Sequence, residues 1–251
     1  MDVFIKDLHG YSGSLIQLIR RDSTLLVRKT GNIQRNIERM TALTTHNILM
    51  PTILNYNEEF LELEYIPHIN MITWLLHNPV DQFINWMIDC INKLKKDSYL
   101  NNWLEIYEAR LTIASLVPFW HQLPFTTKEL IAKLPNELPI SSYHGDLTMD
   151  NCIHSADGQF YLIDPITSDY SSWVFDIAKL MQDLECGWFI RNNNVMIQGK
   201  LWVIKNAILD TYPVANNKNL IILMLLRILP YAKTHQDQEF IIKEINRLWT
   251  Q

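Results

Sequence analysis

The chain has 251 residues, enough for one large domain or two smaller lobes with separate hydrophobic cores. Its 48% hydrophobic and 20% charged residues are typical of a globular protein and exclude a disordered chain. The net charge of −5 argues against sequence-independent binding to nucleic acid, which requires a basic surface.

The cysteines and the apolar segments bear on the cellular compartment. Cys90, Cys152 and Cys186 form no CxxC pair, so neither a disulfide framework nor a zinc site is indicated, and we expect buried thiols. Residues 1–10 lack the basic and apolar regions of a signal peptide. The longest apolar run, LIILMLL at 220–226, is too short to cross a bilayer. We therefore expect a cytoplasmic protein with no membrane partner.

The first part of the chain is predicted to be a small sheet with one helix. SLIQLIRR (14–21) and STLLVRK (23–29) are typical of strands, and Asp22 marks the turn that joins them. Residues 31–43 space their apolar side chains at helical intervals. TILNYN and FLELEYI, which span 52–66 with a polar turn, indicate a second hairpin.

After Pro67 the pattern becomes mainly helical. A short strand-rich segment occupies 140–165. Helices are predicted at 69–77, 80–96, 103–117, 127–134, 173–185, 199–212, 220–232 and 238–249. The sequence therefore predicts a β-rich N-terminal lobe over 1–67 and a mainly helical C-terminal lobe over 68–251.

The strand-rich segment concentrates polar side chains that could perform chemistry. The loop HGDLTMDN (144–151) precedes a short strand, the turn SADG and the returning strand QFYLID (159–164). This hairpin places Asn151 and Asp164 at the same end, with Asp146 in the preceding loop. An amide oxygen facing a carboxylate suits Mg²⁺, and a further carboxylate could take a proton from a hydroxyl. Phosphoryl transfer requires this combination.

HGDLTMDN followed by YLIDP resembles the aminoglycoside phosphotransferase and choline kinase family, the small-molecule branch of the protein-kinase-like fold. By this resemblance, Asp146 is the catalytic base, and Asn151 and Asp164 are the metal ligands. His144 is a structural residue of the loop. Asp176, in FDIAKL, matches an aspartate that braces the catalytic loop.

The resemblance also implies the fold and the small-molecule partners. We expect an α+β, two-lobed protein-kinase-like fold with a small β-rich N-terminal lobe that carries one helix and a larger, mainly α-helical C-terminal lobe. The implied co-substrate is ATP or GTP with Mg²⁺, and the implied reaction transfers the γ-phosphate to an alcohol group of a small acceptor.

The N-terminal part contains candidates for nucleotide binding. Gly10, Ser12 and Gly13 precede a strand, where small residues let backbone N–H groups approach phosphate, although an ordinary turn fits equally well. Lys29 lies where the family places its phosphate-binding lysine. Glu38, on the following helix, is the best candidate to pair with that lysine.

LELEYIP (61–67) resembles the strand that leads into the hinge between the lobes of the family. In this alignment Glu64 and Ile66 offer backbone groups to the nucleotide base. A protein kinase is disfavoured because the loop contains His-Gly-Asp rather than His-Arg-Asp. Only eleven residues separate Asp164 from Asp176, too few for a peptide-docking activation segment.

The sequence leaves the acceptor open. Asp183 and Glu185 could suit a cationic amine such as an aminoglycoside, and aromatic residues such as Trp188 could suit a choline-like amino alcohol. A neutral sugar or a glycan precursor fits equally well, because basic residues are interspersed after Asp176. Arg227 could lie on the acceptor side, although a role at a helix end is favoured.

Other functions fit parts of the pattern. A catalytically silent kinase-like module, acting as a scaffold or sensor, would not need to retain all four of Lys29, Asp146, Asn151 and Asp164. A metal-dependent hydrolase would need more histidines than His144 and its one neighbour, His154. The oligomeric state is not indicated.

Overall fold

The computed structural model of the protein describes residues 2–8, 14–96, 98–193, 195–232 and 234–250. Most of its helices and strands correspond to predicted elements. The strands Asp2–Leu8, Tyr99–Asn102 and Glu137–Ile140 are not among the predicted elements, and residues 69–70, predicted to begin a helix, lie in the strand His68–Asn70. The strands are β1 Asp2–Leu8, β2 Leu15–Arg21, β3 Thr24–Thr30, β4 Ile53–Tyr56, β5 Phe60–Glu64, β6 His68–Asn70, β7 Tyr99–Asn102, β8 Glu137–Ile140, β9 Cys152–Ser155 and β10 Phe160–Leu162. The helices are α1 Gln34–Leu43, α2 Met71–His77, α3 Asp81–Leu94, α4 Leu104–Ala114, α5 Thr127–Lys133, α6 Trp173–Leu184, α7 Gln198–Thr211, α8 Lys218–Ile228 and α9 His235–Thr250.

The chain forms two compact units. The first comprises Met1–His77 and Asp150–Thr167, and the second comprises Asn78–Met149 and Ser168–Gln251. This division differs from the predicted boundary near residue 67, because the β9–β10 hairpin belongs to the first unit. The reason is strand pairing, since β9 pairs with β6 through His68 opposite Ser155.

The first unit contains a five-stranded antiparallel sheet in the order β1-β2-β3-β5-β4 and a three-stranded sheet in the order β10-β9-β6. Helix α1 is amphipathic, and its buried Ile37 and Met40 pack with Leu61 of β5. The turn between β2 and β3 is built on Asp22, whose φ of 56° is left-handed. This part of the chain forms the sheet with one packed helix that the sequence predicts.

The second unit is mainly helical and is centred on α6. Every residue of α6 is buried, from Trp173 to Leu184. Its Phe175 makes edge contacts with the rings of Trp103 and Tyr107. A fully buried helix is normally apolar, yet α6 carries buried Asp176, Lys179, Gln182 and Asp183. Buried polar residues normally require partners, and Asp176, Lys179 and Asp183 find theirs in the loop described below. The Gln182 amide has no hydrogen-bond partner among the described residues.

Two expectations about the whole chain can be compared with the structure. All three cysteines are buried and free, and burial raises the pKa of the Cys90 thiol to about 12. Across the ranges described above, no helix is long and apolar enough to cross a bilayer.

Candidate active site

In the first unit, the β9–β10 hairpin determines where Asn151 and Asp164 lie. Cys152 pairs with Leu162, and one step further the Ile163 N–H donates to the Asn151 carbonyl at 2.9 Å. Asn151 and Asp164 therefore stand at the same end of the hairpin, as the sequence predicts.

Asp164 adopts a left-handed backbone with φ of 56°, which is uncommon for a residue other than glycine. Its carboxylate Oδ1 accepts hydrogen bonds from Lys29 Nζ at 2.5 Å and from Asn36 Nδ2 at 2.7 Å. Asn36 also donates to the Pro165 carbonyl at 2.9 Å. These contacts stabilise a conformation of the kind that proteins retain mainly at functional positions.

Lys29 is only 4% exposed, so its ammonium group depends on the contact with Asp164 for its direction. The next residue towards the N-terminus, Arg28, points to the other face of β3 and pairs with Glu62. Side chains alternate between the two faces of a strand, so Lys29 and Arg28 point to opposite faces. The structure therefore agrees with the interpretation that Lys29, and not Arg28, is the phosphate-binding candidate.

The expected pairing of Lys29 with Glu38 is wrong in this structure. Glu38 is exposed; it accepts from Gln34 Nε2 at 3.0 Å and from Thr167 Oγ1 at 3.3 Å. Residues two apart on a helix point to nearly opposite sides, so burial of Asn36 turns Glu38 outward. Asn36 is the residue of α1 that contributes to the Lys29–Asp164 cluster, and the sequence interpretation missed it.

The remaining nucleotide candidates are placed only in part. Gly10, Ser12 and Gly13 lie outside the described residues. The Glu64 carboxylate accepts from Thr52 Oγ1 at 2.9 Å. The Ile66 carbonyl accepts from His68 Nδ1 at 2.7 Å, and no described residue accepts from the Ile66 N–H.

The donor set of the first unit fits a hard divalent cation. Asp164 is half-buried and uses Oδ1 for its two hydrogen bonds, while no described residue donates to Oδ2. A carboxylate oxygen together with the Asn151 amide oxygen is the kind of ligand that Mg²⁺ takes alongside phosphate oxygens and water. The described residues contain no cluster of three His, Cys, Asp or Glu side chains suited to a metal.

In the second unit, Asp176 of α6 holds the loop that carries the predicted base. Its two carboxylate oxygens accept from the N–H groups of His144 at 2.5 Å and Gly145 at 2.8 Å. His144 is fully buried, and its Nδ1 accepts from the Asp146 N–H at 3.3 Å. Gly145 has a φ of 89°, which a side chain would strain. The structure thus brings His144 and Asp176 into the supporting contacts that the resemblance implies.

Asp146 forms an ion pair with Lys179, with 3.1 Å between Oδ1 and Nζ. Burial alone would raise the pKa of Asp146, but Lys179 and then Arg227 outweigh it and lower that pKa. Burial lowers the pKa of Lys179, which is only 5% exposed. The carboxylate is therefore held in its ionised form, as a general base requires.

Three polar side chains on one side of α6 bind the loop. Asp176, Lys179 and Asp183 follow each other at intervals of three and four residues, the spacing of one helical face. The Asp183 Oδ2 accepts from the Met149 N–H at 2.7 Å, so this acid supports the loop, and its 1% exposure keeps it out of reach of an amine in solution. Glu185, the other acid considered for an amine, pairs with Lys205 and Arg247.

The sequence interpretation missed Lys179 altogether. Its position one turn after Asp176, within an apolar helix, was the available signal. Arg227 lies in the last turn of α8, as favoured from the sequence, and also donates from Nη2 to the Gly145 carbonyl at 3.1 Å.

Comparisons with known proteins were made by sequence and by structure. No protein-family model matches the chain, and no curated protein matches it. Similarity is found only at the level of three-dimensional structure.

The similar solved structures are small-molecule kinases. Aminoglycoside phosphotransferase APH(4)-Ia is 10% identical, with a TM-score of 0.64 over 99% of this chain and 93% of that chain. Choline kinase LicA from Streptococcus pneumoniae is 13% identical, with a TM-score of 0.59 over 98% and 93%. A glucosamine kinase is 12% identical, with a TM-score of 0.57 over 100% and 94%. The chain therefore has the α+β, protein-kinase-like fold of these small-molecule kinases, as its motifs predict.

Proposed function

We propose that the protein is a kinase that transfers the γ-phosphoryl group of ATP or GTP to a hydroxyl group of a small molecule. The observation that carries the proposal is the ion pair between Lys29 and Asp164, which are 135 positions apart in the chain. The motif resemblance assigns these residues to phosphate binding and metal binding, and the ion pair fixes the direction of the Lys29 ammonium beside the Asp164 carboxylate.

The first unit would bind the nucleotide. The Lys29 ammonium is held in a fixed direction and would donate to phosphate oxygens, for which it forms a strong charge-assisted hydrogen bond. No described residue accepts a hydrogen bond from the Ile66 N–H, and this group would donate to the nucleotide base. Asn151 and Asp164 would hold Mg²⁺, which neutralises charge on the phosphate oxygens when bound.

The second unit would supply the base. The acceptor hydroxyl gives its proton to the Asp146 carboxylate, and its oxygen forms a bond to the γ-phosphorus. The bond between that phosphorus and the bridging oxygen breaks, and the nucleoside diphosphate leaves with the electron pair. Lys179 keeps Asp146 ionised and directs it, while Asp176 keeps the loop backbone in place.

A change of Lys179 to methionine is expected to move the acidic limb of the pH–rate profile upward. Burial raises the pKa of Asp146, and the charges of Lys179 and then Arg227 outweigh it and lower that pKa. Removing Lys179 therefore raises that pKa, because an adjacent opposite charge is lost. Asp146 becomes protonated at a higher pH, so activity is lost at a higher pH as the solution is acidified.

Steady-state kcat measured across pH tests this prediction. Lys179→Arg keeps the charge and should leave the acidic limb near its original position. Lys243→Met changes an exposed lysine of α9 and should leave the whole profile unchanged. An unshifted profile in K179M would contradict the role of Lys179 in setting the charge of the base.

The proposed function itself is tested by calorimetric titration of ATP and GTP with Mg²⁺. We expect saturable, Mg²⁺-dependent binding, weakened in Lys29→Met. A nucleotide-consumption screen across aminoglycosides, choline-like amines and sugars then identifies the acceptor class, with Asp146→Asn as the blank. Absence of nucleotide binding with either Mg²⁺ or Mn²⁺ would contradict the proposal, and binding without transfer to any acceptor would favour a silent kinase-like module.

A further inference from the structure

The surroundings of Asp146 in the second unit bear on the chemical class of the acceptor, an inference that rests on the proposed function. If Asp146 takes the proton of the acceptor hydroxyl, the acceptor lies against Asp146. The charges that face Asp146 then also face the acceptor. Those charges are the Lys179 ammonium, 3.1 Å from Asp146 Oδ1, and the Arg227 guanidinium, which contacts the carbonyl of the preceding residue, Gly145.

The carboxylates that contact the same loop are not available to an ammonium group. Asp176 is 2% exposed and Asp183 is 1% exposed, and both accept hydrogen bonds from loop N–H groups. Asp169, which lies in the segment before α6, is paired with Arg110. The carboxylate of Asp146 is itself shared with Lys179. A cationic acceptor would therefore face these positive charges, and none of these carboxylates would be available to pair with it.

Arg227 has unused capacity to bind an anion. Its guanidinium has five N–H donors, and its only oxygen partner among the described residues is the Gly145 carbonyl, at 3.1 Å from Nη2. Its other contacts are the Met224 sulfur at 3.4 Å and the ring of Tyr170, 5.3 Å from the ring centroid. Within the part of the chain that the structure describes, no carboxylate forms an ion pair with it. A half-buried guanidinium in this state is suited to phosphate or carboxylate, which it binds through two parallel hydrogen bonds.

We propose that the acceptor is an anionic hydroxyl compound, which carries a phosphate or a carboxylate group bound by Arg227, and that cationic amines are rejected. The phosphate groups of the nucleotide are the other anions that Arg227 could bind. The first unit already provides Lys29 for them, so we assign Arg227 to the acceptor. In the reaction the anionic group is unchanged: the hydroxyl proton passes to Asp146, the new oxygen–phosphorus bond forms, and the nucleoside diphosphate leaves.

The first test measures anion binding directly. Inorganic phosphate is titrated calorimetrically into the full chain that has been saturated with a non-hydrolysable ATP analogue and Mg²⁺. We expect binding to the unmodified protein and an affinity about 10- to 100-fold lower in Arg227→Gln, the range for loss of a hydrogen bond to a charged group. Arg20→Gln, an exposed change of the same charge on β2, is the matched control and should bind like the unmodified protein. No phosphate binding, or equal affinity in R227Q, would overturn the proposal.

The second test compares acceptors of one skeleton and different charge, namely glucose, glucosamine, glucuronate and glucose 6-phosphate. We expect nucleotide consumption with the anionic members and not with glucosamine. R227Q should raise the KM of the anionic acceptor while the KM of ATP stays unchanged. Preference for glucosamine, or an effect of R227Q on the KM of ATP alone, would overturn the assignment of Arg227 to the acceptor.

The two proposals fail in distinguishable ways. If the proposed function is wrong, the protein does not bind nucleotide. In that case, titration of phosphate into the protein without nucleotide still measures anion binding by Arg227. Thermal unfolding checks that R227Q is folded, and Arg227→Lys, which keeps the charge, should retain part of the phosphate affinity. If none of the four acceptors is consumed, the phosphate titration decides the inference.

Discussion

Replacing Asp146 by asparagine is expected to slow phosphoryl transfer severely and to leave nucleotide binding nearly intact. The change removes the proton acceptor at nearly constant size, and loss of a positioned general base slows such a step by about 10²–10⁴-fold. Lys29 and Asp164, the candidates for phosphate and metal binding, keep their own ion pair. The measurements are kcat with the acceptor found in the screen and the calorimetric affinity for ATP with Mg²⁺.

Asp150→Asn is the matched control for this change. Asp150 lies four positions further along the same segment, is exposed, and loses the same charge. It should retain the activity of the unmodified protein. Because D146N leaves the Lys179 ammonium without its carboxylate, thermal unfolding must show that the variant is folded at the assay temperature. Comparable kcat values for D146N and D150N would contradict the assignment of Asp146 as the base.

Replacing Asp164 by asparagine is expected to remove Mg²⁺-dependent nucleotide binding. The carboxylate is both the partner of Lys29 and the proposed anionic ligand of the cation, and an amide cannot supply either charge. Loss of a direct ligand should weaken binding by at least about 100-fold, the upper range for loss of an outer-shell partner. Titration of ATP with Mg²⁺, and again with the metal chelated, measures the effect.

Asp22→Asn provides an unusually close control. Asp22 has the same left-handed φ of 56° as Asp164, is exposed, and lies in the β2–β3 turn of the same unit. Asparagine is well tolerated in this conformation, so neither change should strain the backbone. D22N should bind nucleotide normally. Retention of Mg²⁺-dependent binding in D164N would contradict the metal assignment, and equal loss in both variants would indicate an effect on stability instead.

Local features of the candidate site could be predicted from the sequence. The turn residues between Cys152 and Asp164 define a hairpin, and the two-residue period of its strands brings Asn151 to the same end as Asp164. The family resemblance of HGDLTMDN and FDIAKL identified the loop and Asp176, the helix aspartate that supports it. These are relations between residues close in the chain, where turn chemistry and strand geometry leave few alternatives.

The error at Glu38 has a physical cause in the helix. The sequence indicates an acid on α1, but the side that faces Lys29 depends on where the helix begins and how it packs. Burial of Asn36 with Ile37 and Met40 selects that side and leaves Glu38 exposed. A shift of two residues along a helix rotates a side chain to the opposite face, so spacing along the sequence could not identify the partner.

By itself, the sequence predicted the strands β2 to β5, helix α1, most of the later helices and the β9–β10 hairpin, and its resemblance to a known family identified Asp146, Asn151 and Asp164. Only the tertiary structure decided which charged and polar groups form contacts: Lys29 with Asp164, Asp146 with Lys179, and Arg227 with the Gly145 carbonyl. The physical reason is that turns and periodic elements arise from neighbouring residues, whereas these contacts join distant segments. Their formation depends on how buried faces pack, since a buried charge must be paired wherever packing places it.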